Sequence, residues 1–325
     1  MKRLIVAALT LILAAGTASA ETLRGSWTGS SEEAGKIHLN VARKHSQNGQ
    51  TFATSAFSGL SEAQIRSASS IPVQFAMNRE AGNFSFEGTF KDGYGGGAFT
   101  FTPSASYLST IRSMGISTDG VVGKRSSVDE TLMQLAIHDV STAYIRSMQA
   151  LGYRVPLDKY LAMRIFRVTP ELVGELRSLG YDEVSAEDLI SSQIHRVTPQ
   201  YIREMRASGM TNLSLDKLVS TRIHRASPEF IAEMKALGYD GLSHEQLVSM
   251  RIHRVTPEFI RELRELGYTG IPASKLVSMR IHRVTPEFIR ELGEAGYSKV
   301  PVDKMISMRI HGVDATFMKK MNDAQ

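Results

Sequence analysis

The sequence predicts an α+β protein, with a small antiparallel β-sandwich or barrel followed by an α-solenoid of ~29-residue two-helix repeats. Three observations lead there. Apolar residues alternate with a period of two over residues 21–101. A hexapeptide of the form Ile-His-Arg-Val-Thr-Pro then recurs at near-constant spacing. Each copy is bracketed by residues that start and stop helices.

Residues 1–20 stand apart from that plan. Lys2 and Arg3 precede the apolar run Leu4–Ala15, and Ala18-Ser19-Ala20 offers a small-residue cleavage site. This order predicts a secretory signal peptide cut after Ala20, and hence a periplasmic or secreted protein. No Cys follows Ala20, so no lipoprotein anchor is expected. No later stretch holds the ~18 apolar residues of a membrane span. Losing Lys2 and Arg3 lowers the formal charge from +5 to +3. Blocks of like charge are absent, so no nucleic-acid partner is expected. The chain has 0 Cys, which excludes thiol nucleophiles, disulfides and thiolate metal sites.

Residues 21–101 read as β. Gly25–Gly29 is a short strand around Trp27. Ile37, Leu39 and Val41 alternate with polar or small residues, as do Val73, Phe75 and Met77. Phe84, Phe86 and Phe90 follow after an expected loop at Asn78–Asn83, and Phe99 and Phe101 close the series. About six strands are expected, with one helical turn near Gly59–Ile65. Gly93–Gly97 could cradle a phosphate but lacks the Lys-Ser/Thr and the helix such a loop needs, so it reads as a hairpin turn. Trp27 could stack on a sugar, but its apolar setting places it in the core. His38 and His45 have no carboxylate cluster spaced for a metal.

The hexapeptide starts at Ile137, Ile165, Ile194, Ile223, Ile252, Ile281 and Ile310; the first step is 28 residues and the others are 29. Within a unit, Thr256 is an N-cap candidate, Pro257 suits the first helical position and Glu258 favours the positive end of the helix dipole. Val255 and Ile260 can staple the start, with Phe259, Leu263 and Leu266 continuing the apolar stripe. Gly267 should end the helix in a left-handed conformation, with Tyr268 packing back. A second helix should start at Ser243 with Gln246 in capping-box spacing, as Ser185 is spaced from Asp188, or at Pro156, Pro272 and Pro301. Its buried face is expected to hold Leu247, Val248 and Ile252. Helices of about 10 residues cannot stand alone in water, so they should stack on neighbours. The expected division is a β domain over 21–101 and a helical part over 102–325. The latter comprises an adaptor at 102–137, regular repeats at 138–310 and a polar cap at 311–325.

Stacked repeats turn recurring residues into ladders. His138, His195, His224, His253, His282 and His311 form one, at the carbonyl end of each second helix. Packed helices lie ~8–10 Å apart, too far for neighbouring rungs to share an ion with ~2.0–2.1 Å bonds. Phe166 also replaces one His. A capping role is expected, with no metal and no cofactor. Arg164, Arg222, Arg251, Arg280 and Arg309 form a second ladder, interrupted by Gln193. Arg196, Arg225, Arg254 and Arg283 form a third, facing Glu171, Glu229, Glu258 and Glu287. Two readings stay open for these arginines: ion pairing between repeats, or an anion-binding strip for a protein or acidic envelope polymer.

No zincin, nucleophile-elbow, phosphate-loop or dinucleotide motif is present, so an enzyme is not expected. Phe75–Phe90 with Gly97–Phe101, together with the repeated Val-Thr-Pro-Glu-Phe-Ile-Arg-Glu-Leu and Leu-Val-Ser-Met-Arg-Ile-His, resemble the extracytoplasmic tail of bacterial antirepressor-type membrane metallopeptidases related to the β-lactam sensors. The resemblance covers nearly all of residues 24–325 and excludes the peptidase itself. It implies an envelope interaction or sensing module without catalysis. The function expected is a non-enzymatic interaction module. The alternative is an envelope ligand or glycan sensor whose site lies in the β domain beside Trp27.

Overall fold

Alternating apolar residues form six strands: β1 (Leu23–Ser30), β2 (Lys36–Arg43), β3 (Ser46–Ala53), β4 (Ile71–Arg79), β5 (Gly82–Lys91) and β6 (Tyr94–Pro103). The structure is a computed structural model and describes residues 22–43, 46–121, 127–314, 317 and 320. The expected leader, His45 and most of the C-terminal cap lie outside these. The strands pair antiparallel in one sheet, in the order β3-β2-β1-β6-β5-β4. The expected sandwich or barrel is therefore, in its hydrogen bonding, a single sheet edged by β3 and β4. The loop expected at Asn78–Asn83 shrinks to Glu80 and Ala81, since both flanking strands extend into it.

One face of the sheet carries the apolar set. Trp27, Phe75, Phe86 and Phe90 cluster there, with Phe75 stacked on Phe86 at 4.6 Å and Trp27 edge-on to Phe75 at 5.2 Å. Phe57, Leu60 and Ile65 are buried with them, Ile65 ending the one-turn helix α1 (Glu62–Ile65), which Ser61 and Gln64 close with a capping box. Trp27 is 1% exposed and its indole N–H donates to the Glu87 carbonyl at 3.0 Å, so it is core as expected. The turn between β5 and β6 is Asp92-Gly93, with φ 49° and 84°. Both central residues left-handed is the arrangement that matches strand twist in a two-residue hairpin. Gly95, Gly96 and Gly97 belong to β6 rather than to a loop. A side chain at Gly97 would collide with the Glu87 carbonyl and approach Gly88 Cα to 2.6 Å, because the two strands cross closely there.

The helical sequence divides by compactness after Ile165. In the first unit α2 (Tyr107–Ser113), α3 (Val128–Ile137), α4 (Thr142–Ala150) and α5 (Leu157–Ile165) group with the sheet. Helix α3 packs on β5 and β6, and Glu130 at its start accepts from Arg43 at 2.6 Å. Glu80, in the β4–β5 turn, accepts from the Thr142 amide at 2.9 Å and its hydroxyl at 3.2 Å, fixing the start of α4. Asp139 lies between Arg79 at 3.5 Å and Arg164 at 3.6 Å.

The second unit holds α6 (Pro170–Ser178), α7 (Ala186–Ile194), α8 (Pro199–Ala207), α9 (Leu215–Ile223), α10 (Pro228–Ala236), α11 (His244–Ile252), α12 (Pro257–Glu265), α13 (Ala273–Ile281), α14 (Pro286–Glu294) and α15 (Val302–Ile310). Helix α7 packs on α9, α9 on α11, α11 on α13 and α13 on α15. The local grammar is as read. Thr256 Oγ1 accepts from the Phe259 amide, Pro257 opens α12, and Gly267 has φ 87°. Gly267 N donates to Arg264 O at 2.9 Å and Tyr268 N to Leu263 O at 2.8 Å, a Schellman closure. Ser243 and Gln246 complete a capping box at α11. One expectation is corrected. Ile252 is not on the buried face but half exposed, and Met250, two residues earlier, is buried beside Leu247 and Val248.

The two glycine roles separate experimentally. Gly97→Ala should cost about 2–3 kcal/mol, through overpacking, read as a shift in urea unfolding followed by Trp27 fluorescence. Gly267→Ala meets open space and should cost only about 1–2 kcal/mol for its left-handed φ, read by far-UV circular dichroism. Equal losses at the two sites would contradict the distinction between clash and strain.

Candidate functional site

The second helix of each repeat ends with the same closure as the first, but a different residue supplies the left-handed turn. After α11, Arg254 N donates to Arg251 O at 3.2 Å and Val255 N to Met250 O at 2.8 Å. Arg254 thus occupies the position that Gly267 occupies after α12, with φ 57°. Arg196, Arg225 and Arg283 do the same at φ 55°, 57° and 57°. Gly312 fills the position in the last copy with φ 71°. Glycine is the favoured residue there, because a Cβ costs about 1–2 kcal/mol in this region. All four arginines are exposed. Among the described residues their side chains make no hydrogen bond and no ion pair. The structure therefore locates each expected strip residue at one recurrent, solvent-facing turn.

Asp139 has the same backbone at φ 51°, yet it is paired with Arg79 and Arg164. A side chain at this position can thus serve the fold, whereas those of Arg196, Arg225, Arg254 and Arg283 have no folding partner among the described residues.

The other arginine set behaves differently. Arg222 lies over the Tyr201 ring at 3.5 Å, Arg251 over Phe230 at 4.8 Å, Arg280 over Phe259 at 4.9 Å and Arg309 over Phe288 at 5.0 Å. Arg251 and Arg280 also donate Nε to the carbonyls of His224 and His253, each at 3.4 Å. Their partners in the second unit are rings and carbonyls, not the carboxylates considered from sequence. The copy that has Gln193 in place of Arg has Leu172 in place of the aromatic ring. Both members of the pair are missing together, as a ring–guanidinium contact requires. That correlation was readable in the sequence.

The acids at the first-helix starts are engaged by their own helices. The carboxyls of Glu258 and Glu287 sit below the usual carboxylate range because their own backbone N–H groups bind the charged form, followed by the cap hydroxyls of Thr256 and Thr285. For Glu229 the Ser227 hydroxyl is the larger cause. Arg261 and Arg290, on the same helices, pair with Glu258 at 3.1 Å and Glu287 at 3.4 Å.

Two residues before each unpaired arginine is an isoleucine. Ile194, Ile223, Ile252 and Ile281 are between 49% and 52% exposed, and Ile310, before Gly312, is 55% exposed. Sequence reasoning missed this set, since a terminal Ile in an amphipathic helix looks like core. Between them, His195, His224, His253 and His282 occupy the C-cap position of their helices, which their backbone N–H groups help close. Among the described residues no group of three or more His, Asp or Glu is arranged to hold a metal. No helix among them is long and apolar enough to cross a membrane.

The first unit offers less. An open depression of about 380 Å³ is lined by Ser30, Glu32, Glu33, Lys36, His38 and Thr51. Trp27, the residue on which a sugar site was premised, is not among them. His138 has its ring pushed down to about 4 by burial and, secondarily, by the Arg164 charge. No protein-family model matches the chain, and no curated protein or solved structure matches it significantly.

Two predictions follow from these side chains. The unfolded chain protonates His138 near 6.5 and the folded protein near 4. Its neutral burial therefore leaves stability intact above 6.5 and erodes it as pH falls from there towards 4. His138→Phe, copying Phe166 of the next repeat, should flatten the stability–pH curve in that window; an unchanged curve would refute the assignment. Arg254→Gly should leave unfolding free energy unchanged or raise it by up to about 1 kcal/mol. Arg251→Ala should lower it by about 1–2 kcal/mol. Denaturant titration decides, and equal effects would erase the difference between the two sets.

Proposed function

We propose that this chain is an exported, non-enzymatic interaction module of the bacterial cell envelope. Its repeats stack as an α-solenoid and bring Arg196, Arg225, Arg254 and Arg283 into one strip beside the isoleucines, for a protein or envelope-polymer partner. The observation that carries this reading is the placement of unpaired arginines at turns where glycine is favoured. Residues held against local backbone preference without a folding partner are a mark of functional surface.

Stacking is supported by period and by contacts. Nine-residue helices are too short to persist alone. Second helices touch the second helix of the next repeat. Tyr239 Oη donates to Ile271 O at 2.8 Å and Tyr268 Oη to Val300 O at 2.9 Å, each reaching the following repeat. Export is supported by the order of charge, apolar run and small residues in 1–20. The recurrent His and Arg residues follow the repeat period, which suits a repeated surface better than a single catalytic centre.

The test is capture from the envelope fraction of the source bacterium. Immobilised protein lacking residues 1–20 should retain a partner. The quadruple variant Arg196→Gly, Arg225→Gly, Arg254→Gly, Arg283→Gly should lose it while keeping its circular dichroism. Capture unaffected by the variant would defeat this reading.

A further inference from the structure

Resting on the interaction reading above, we infer that the strip binds an extended acidic polypeptide segment with a carboxylate at about every third residue and apolar side chains between. Each of the four turns at Arg196, Arg225, Arg254 and Arg283 presents a guanidinium that has no folding partner among the described residues, and its planar fork matches a carboxylate. Two residues before it stands an isoleucine with half its surface exposed. The partner must therefore alternate anion and hydrocarbon along its length.

Spacing selects the period. The arginines follow α7, α9, α11 and α13, of which successive members pack directly on one another. Packed helices lie ~8–10 Å apart. An extended chain advances ~3.1–3.4 Å per residue, so three residues span ~9–10 Å, and in the polyproline II form every third side chain returns to one face. One residue in three therefore matches one repeat.

Charge disfavours a planar anionic surface. Glu229, Glu258 and Glu287 stand four residues beyond Arg225, Arg254 and Arg283, and are held at their helix starts. Residues 166–325 hold nearly equal numbers of cationic and anionic residues. A lipid surface would meet both signs, whereas a single extended chain can follow the arginines and pass the acids by. A glycan would want aromatic faces, and the large exposed side chains from 194 to 310 are all isoleucine among the described residues.

Fluorescence anisotropy with the chain lacking residues 1–20 tests this. One labelled peptide carries five Glu-Pro-Val triplets; its isomer has the same composition with the five Glu contiguous. The triplet peptide should bind about tenfold or more tighter than the isomer, and the quadruple Arg→Gly variant should lose about tenfold or more in affinity for it. Ile223→Ser with Ile252→Ser should weaken the triplet peptide too. Equal binding of the two peptides, retention by the arginine variant, or binding only to phosphatidylglycerol vesicles or to a polyuronate would each overturn the inference. If envelope capture still depends on the arginines when the triplet peptide fails, the interaction reading survives and the peptide assignment does not. If capture is also independent of them, both fall.

Discussion

The helical part of this protein depends on how a nine-residue helix is closed at its carbonyl end. A helix this short leaves the last carbonyls as a large share of its backbone, and it cannot afford them unpaired. The answer is the same after nearly every helix: one residue turns left-handed, and two amides fold back onto the last turn. The chain reverses within a few residues and the next helix starts on a Ser, Thr or Pro cap; after the second helices a buried Val or Ala follows the turn, and after the first helices a buried or half-buried Tyr or Met does. Because the closure sets the spacing of every element, the 29-residue period is a backbone constraint first and a side-chain pattern second.

Within that constraint two arginines of one repeat have opposite lives. Arg251, in the last helical turn, has a ring beneath it and a carbonyl in reach. Arg254, three residues later, has left the helix and is exposed, with neither a hydrogen bond nor an ion pair on its side chain among the described residues. Three residues of chain separate a folding residue from one with no folding partner. The same side chain type therefore carries no fixed meaning in this repeat; its position relative to the closure decides.

The first unit shows the same turn put to structural use. Asp139 takes the place of the arginine and joins Arg79 of the sheet to Arg164 of α5, while Glu80 holds the start of α4. Charged contacts here bind helices to the sheet, and this unit's compactness reaches to Ile165 although the repeat pattern begins earlier. Composition changes where the strands end; contact changes where these bridges end.

Local grammar was legible from residues alone. Caps, closing glycines, the helix pairs, the one-turn helix near Ile65 and the burial of Trp27 all follow from short-range rules of donors, acceptors and alternation. Strand β3 was not separately legible, because Ser46–Ala53 is polar and alternates weakly; it is a strand only because β2 offers it a free edge of amides and carbonyls. Nor could the pattern place Ile252, whose helical phase is that of a core residue and which is nevertheless half exposed. The unpaired state of Arg196, Arg225, Arg254 and Arg283 was equally undetermined, since glutamates stand at plausible spacing in the sequence. Only the fold shows that helix N-termini and nearer arginines already hold those acids. Sequence by itself determined which residues start and stop each helix, because those bonds are local. Tertiary structure decided which charges find partners and which apolar ends stay open, because that depends on distances between segments far apart in the chain.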